Sequence, residues 1–81
     1  MNSGIITIDL HGKTVYQAQI AVNAALRRAS AGTYRIRVIH GFHSGTVLRD
    51  FIKTEYSTHS KVRRLLHSPD GGATDLVLRE F

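Results

Sequence analysis

Eighty-one residues, 42% of them hydrophobic, make one domain (1–81) with a single small core, so any site lies on the surface or in a shallow groove. Eleven Lys and Arg against six Asp and Glu leave a charge of +5, which favours an anionic partner such as nucleic acid or ribosomal RNA, although a merely solvated basic surface has the same composition. The lack of cysteine excludes a disulfide framework and thiolate metal sites, no window has the length of a membrane span, and Met1-Asn2-Ser3-Gly4 does not open a secretory leader, so the cytoplasm is the expected compartment.

Ile5 to Leu10 alternates, with Ile6, Ile8 and Leu10 on one face and Thr7 and Asp9 on the other, which predicts a half-buried strand ending near His11. Thr14-Val15-Tyr16-Gln17 has the spacing of a capping box. Val15, Ala18, Val22, Ala25, Leu26 and Ala29 then recur at helical intervals, predicting a helix that runs to about Gly32. Tyr34, Ile36 and Val38 alternate with Arg35 and Arg37 in a second strand that ends at His40. After the turn Gly41-Phe42-His43-Ser44-Gly45, the spacing of Leu48, Phe51, Ile52 and Tyr56 predicts a second helix ending around residues 57–60. Val62 to His67 and Ala73 to Phe81 read as strands joined through Ser68-Pro69-Asp70-Gly71-Gly72, a hairpin turn. The order is βαβαββ. Right-handed crossovers make strands one and two parallel and place both helices on one face of a single sheet, an α/β protein built as a two-layer α+β sandwich.

Asp9 and His11 are two positions apart on one face of a strand, with Cα atoms roughly 6.6 Å apart, close enough for their side chains to meet. A carboxylate that accepts from one imidazole nitrogen fixes the tautomer and frees the other nitrogen for proton transfer. The same spacing also suits an aspartate that caps the turn beside a histidine that packs at the strand end. His40 falls on the face of Ile36 and Val38, toward the helices, as a core-edge histidine bonded to its turn. Gly41 and Gly45 bracket a loop whose amides would suit a phosphate, and Arg49 and Lys53, one helical turn apart, would reach the same anion unless they form an ordinary solvated face. Gly12-Lys13-Thr14 resembles the end of a nucleotide-binding P-loop, but the earlier glycine that motif needs would fall at Thr7, which excludes it. Asp9, His11, His40 and His43 offer metal-ligand chemistry without compact ligand spacing, so no metal ligands are assigned.

Three segments in order, Ile8-Asp9-Leu10-His11-Gly12, Ile39-His40-Gly41 with Gly45 and Leu48-Arg49, and Gly71-Gly72-Ala73-Thr74, resemble the marks of the Smr (small MutS-related) domain over nearly the whole chain. The resemblance implies a fold similar to the C-terminal domain of translation initiation factor 3, a four-stranded mixed sheet in the order 1-2-4-3 with strand four antiparallel to the others. It implies endonuclease activity, either nicking of DNA or cleavage of RNA, with Asp9 and His11 as the catalytic pair. Arg35, Arg37, His40, Gly41, His43, Gly45, Arg49 and Lys53 are then the expected phosphate-binding set. RNA cleavage through the 2′-hydroxyl needs no cofactor, whereas DNA nicking calls for an activated water and a divalent ion. The alternative is a noncatalytic basic module that docks on RNA, branched DNA or the ribosome. At the second motif the chain departs from the family, with His43 where a glycine is expected and Phe42 where a basic residue is common.

Overall fold

The computed structural model describes residues 4–41 and 45–80. Its elements are β1 (Ile5–Asp9), α1 (Val15–Arg28), β2 (Arg35–Ile39), α2 (Gly45–Tyr56), β3 (Arg64–His67) and β4 (Ala73–Val77). The sheet order is β1-β2-β4-β3, with β2 parallel to β1 and β4 antiparallel to both β2 and β3. Order and directions agree with the sequence expectation.

The strands are shorter than their hydrophobic patterns, because pairing stops before apolarity does. The first helix ends at Arg28 and not at Gly32, since Ala29 takes an extended backbone (ψ 129°) and Ser30 starts a turn. In that turn the Ser30 N–H donates to Thr33 Oγ1 at 3.2 Å and the Thr33 N–H returns a bond to the Ser30 carbonyl at 3.0 Å. The side-chain oxygens thus offer the backbone an alternative to another helical turn. The last strand stops at Val77, although the amides of Leu78 and Arg79 both still reach the Tyr34 carbonyl.

The core lies on the helix side of the sheet. Ile36 and Val38 from β2, Leu76 from β4 and Leu10 after β1 meet Ala18, Val22, Ala25 and Leu26 of α1 and Leu48, Ile52 and Tyr56 of α2, all buried. Each large aliphatic side chain buried there is worth about 1.5–3 kcal/mol. Tyr56 closes the layer, its hydroxyl donating to Asn23 Oδ1 at 2.8 Å and its ring meeting Phe51 edge-on with centroids 6.0 Å apart. Burial pushes the Tyr56 phenol up to about 12, with the charge of Glu55 adding to the shift.

On the other face Thr7 registers with Arg37 and Arg37 with Asp75, so the arginines of β2 do share a side with Thr7 and Asp9. They are not an open basic strip. Asp75 accepts from Arg37 Nε and Nη2 at 3.0 Å each and from Arg35 Nη1 at 3.1 Å, and only 8% of the residue is exposed. This carboxylate holds the middle of the open face together, and its hydrogen bonds raise the Arg37 guanidinium above its usual range.

Candidate active site

Because β1 and β2 are parallel, the loops that leave their C-terminal ends lie at one edge of the sheet, and both helices begin there. Leu10 extends the pairing beyond β1, its N–H donating to the Ile39 carbonyl at 2.7 Å. The β3–β4 turn joins the same edge, with the Gly72 carbonyl accepting from the amides of His40 and Gly41 at 3.0 Å each. Three segments distant in sequence are thereby locked together by backbone bonds.

At the tip of β1, His11 Nδ1 lies 2.6 Å from Asp9 Oδ1, and the same oxygen accepts from the His11 backbone N–H at 3.1 Å. The carboxylate can only accept, so the proton sits on Nδ1 and the neutral ring presents Nε2 as a base. No described residue bonds that nitrogen, and the two side chains are 72% and 53% exposed, so a solvent-borne substrate has access to it. The Asp9 carboxyl is held below its ordinary value, first by the His11 side chain and then by the His11 amide, with the charges of His11 and Lys13 contributing less. Asp9 therefore stays ionised across the neutral range.

His40 faces the other way and is 2% exposed. Its Nδ1 lies 3.2 Å from the Gly41 carbonyl and its Nε2 2.9 Å from Thr74 Oγ1, which also lies 3.0 Å from His67 Nδ1. Since the carbonyl only accepts, the neutral His40 ring donates through Nδ1 and accepts the Thr74 hydroxyl proton at Nε2. The hydroxyl oxygen then accepts from His67. With both nitrogens used internally, His40 ties β2, its following loop and the hairpin together, as its place on the buried face suggested.

Gly41 has φ +80°, a left-handed conformation, and a Cβ there would stand 3.4 Å from the Cβ of His11. The glycine thus carries the second loop directly past the histidine of the first. His43, with Phe42 and Ser44, lies outside the described residues, while Gly45 opens α2. Arg49 is half-buried, with Nε 3.7 Å from Asp50 Oδ1, and Lys53 is exposed one turn further along. Arg37 lies two residues before Ile39, the register partner of Asp9, whereas Arg35 is at the opposite end of β2, beside Ile5. Sequence reading passed over Lys13, whose charge acts on Asp9, and Asp75, which masks the arginines; a lone acid in the apolar run of β4 was the available signal. Among the described residues no group of three or more His, Cys, Asp or Glu is gathered to hold a metal ion.

Two compact layers, with an Asp-x-His pair and a His-Gly loop meeting at one sheet edge, define a small α+β domain with an exposed imidazole base. The Smr domain pattern matches residues 8–77. The crystal structure of the Smr domain of Thermus thermophilus MutS2 superposes with a TM-score of 0.80 at 32% identity, covering 93% of this chain and 99% of that one. The chain belongs to the Smr domain family, a family associated with nucleic-acid binding and nuclease activity. No curated protein matches it. No helix among the described residues is long and apolar enough to cross a membrane.

Proposed function

We propose that this domain binds nucleic acid and cleaves its phosphodiester backbone at Asp9 and His11. The observation that carries this reading is the 2.6 Å contact between His11 Nδ1 and Asp9 Oδ1, which leaves Nε2 free and exposed. On RNA, Nε2 takes the proton of a 2′-hydroxyl as its oxygen attacks phosphorus. The O2′–P bond forms, the P–O5′ bond breaks, and the leaving 5′-oxygen takes a proton from water, so a 2′,3′-cyclic phosphate results. Asp9 keeps the ring in the reactive tautomer and stabilises the imidazolium that forms. Lys13 and Arg37 are the cations nearest the pair in sequence and register, and the Gly41 to Gly45 segment, with Arg49 and Lys53 of α2, would stabilise the charge on phosphorus. Arg35, at the far end of β2, would act on more remote phosphates.

Labelled RNA, linear DNA and supercoiled plasmid, each with and without EDTA, test this reading in wild type and in Asp9→Asn/His11→Ala. RNA cleavage should fall by about 10²–10⁴-fold in the double variant and be insensitive to EDTA in wild type, while binding is retained. Cleavage of plasmid alone, abolished by EDTA, would mark a DNA-nicking enzyme that uses a divalent ion. Binding without cleavage by either protein would mark a noncatalytic module, and equal cleavage by both would place the activity elsewhere.

A further inference from the structure

The excess positive charge of this chain gathers at the end of the molecule opposite Asp9 and His11. Arg27 and Arg28 end α1, Lys61 and Arg63 lie between α2 and β3, and Arg79 follows β4, so all five occupy the edge where β1 and β2 begin. Between the α1–β2 connection, the α2–β3 connection and the end of β4 runs a groove of about 500 Å³, lined by Lys61, Arg63 and Arg79 together with Ser30, Thr33 and Ser60. No acidic side chain lines it. The nearest acid in sequence, Glu80, is engaged by Arg64 at 2.6 Å.

Cations after a helix C-terminus commonly answer the terminal carbonyls, and Lys61 does so in part, donating from Nζ to the Leu26 carbonyl at 3.3 Å. An ammonium has three donors, so two remain. Arg63 and Arg79 stand outside the helices on backbone fixed by their own amides, which donate to the Val77 and Tyr34 carbonyls at 2.7 and 3.2 Å. Both residues are exposed, and neither guanidinium pairs with a described acid. Glu55 lies with Lys61 along the adjoining hollow, but among the described residues no acid lines the groove itself, and three cations around one polar groove suit a polyanion.

We infer that this groove is a second nucleic-acid contact, holding the phosphodiester backbone of the strand whose cleavage is proposed at the opposite end; it rests on that functional reading. Five-residue strands at about 3.3 Å per residue, with the loops at either end, separate the two regions by roughly 20 Å. At about 3.4 Å per stacked nucleotide along one strand that distance spans about six nucleotides. A substrate must therefore extend beyond its scissile bond to reach both.

The test titrates the full chain, carrying Asp9→Asn to suppress turnover, with an RNA of about 20 nucleotides while amide resonances are followed by NMR. The amides of Ser30, Ser60 and Leu78 should shift with the same affinity as those around His11. In parallel, Lys61→Gln/Arg63→Gln/Arg79→Gln should weaken binding by about tenfold or more. It should also lower the slope of log affinity against log salt by about 2, since each phosphate contact contributes roughly 0.7–0.9. Groove amides that stay still while those around His11 shift, or a triple variant with unchanged salt slope, would overturn the groove and leave the proposed function standing. Saturation of the groove by inorganic phosphate, with no gain from the RNA, would make it a small-anion site and overturn the inference. Absence of any RNA binding by wild type would overturn the inference, while the plasmid and EDTA arms above decide the proposed function separately. Should the triple variant fail to fold, the NMR titration decides.

Discussion

At the residue scale, the site depends on one carboxylate oxygen with two tasks. Asp9 Oδ1 accepts from both the ring and the backbone of His11, so the tautomer and the position of the imidazole are set by the same atom. The second determinant is the absence of a side chain at Gly41, which lets the neighbouring loop pass close to His11. Gly41→Ala forces an L side chain into φ +80° and sets a methyl in van der Waals contact with the His11 Cβ. We expect a stability loss of about 1–2 kcal/mol, seen as a melting temperature lower by roughly 5–15 °C. A larger proportional loss of cleavage than of binding should accompany it, because relief of the strained φ shifts the loop that packs beside His11. An unchanged melting temperature would show that the loop adapts without strain.

At the element scale, the start of α1 is the part most clearly written in the sequence. Thr14 Oγ1 accepts from the Gln17 N–H at 3.1 Å, and Gln17 Oε1 accepts from the Thr14 N–H at 2.9 Å, which satisfies two otherwise free backbone donors. Thr14→Ala should cost about 1 kcal/mol and lower the melting temperature by roughly 4–8 °C. Thr14 follows the Asp9–His11 segment closely, and the Lys13 N–H is already bonded to the Leu10 carbonyl at 3.0 Å. The connection therefore keeps its shape, and cleavage per folded molecule should change less than twofold. The end of α1 was less legible, since both Ala29 and the small residues after it tolerate a helix. What stops the helix is the reciprocal pairing of Ser30 and Thr33, local in sequence but silent in hydrophobic periodicity.

At the scale of the whole molecule, the two helices are tied to each other as well as to the sheet, and Tyr56 is the tie. Its phenol is raised to about 12 in the folded chain, against an ordinary value of 10.0. A raised acid favours its neutral form in the fold, so the associated stability is fully present below about pH 10 and is lost as pH rises toward 12. Unfolding free energy should fall by on the order of 2 kcal/mol across that interval. Tyr56→Phe should be less stable at neutral pH, through loss of the Asn23 bond, yet show a smaller decline between pH 10 and 12. Equal alkaline slopes in both proteins would assign the decline to other groups. The distribution of charge is likewise a property of the whole: Asp75 neutralises the middle of the open face, while Lys61, Arg63 and Arg79, none of them paired with a described acid, line the groove at the end away from the histidine.

Periodicity and turn chemistry alone determined the βαβαββ order, the helix faces and the inward aim of His40, because alternation and helical spacing are local consequences of burial. The nearness of Asp9 and His11 was equally local, being a matter of two residues along one strand. Only the tertiary structure decided what came from chain segments far apart. It brought Asp75 onto Arg35 and Arg37 across the sheet, placed Thr74 between His40 and His67, and drew Lys61, Arg63 and Arg79 around one groove. Such pairings depend on strand register and on which loops share an edge. Neither leaves a trace in the spacing of residues along a single element.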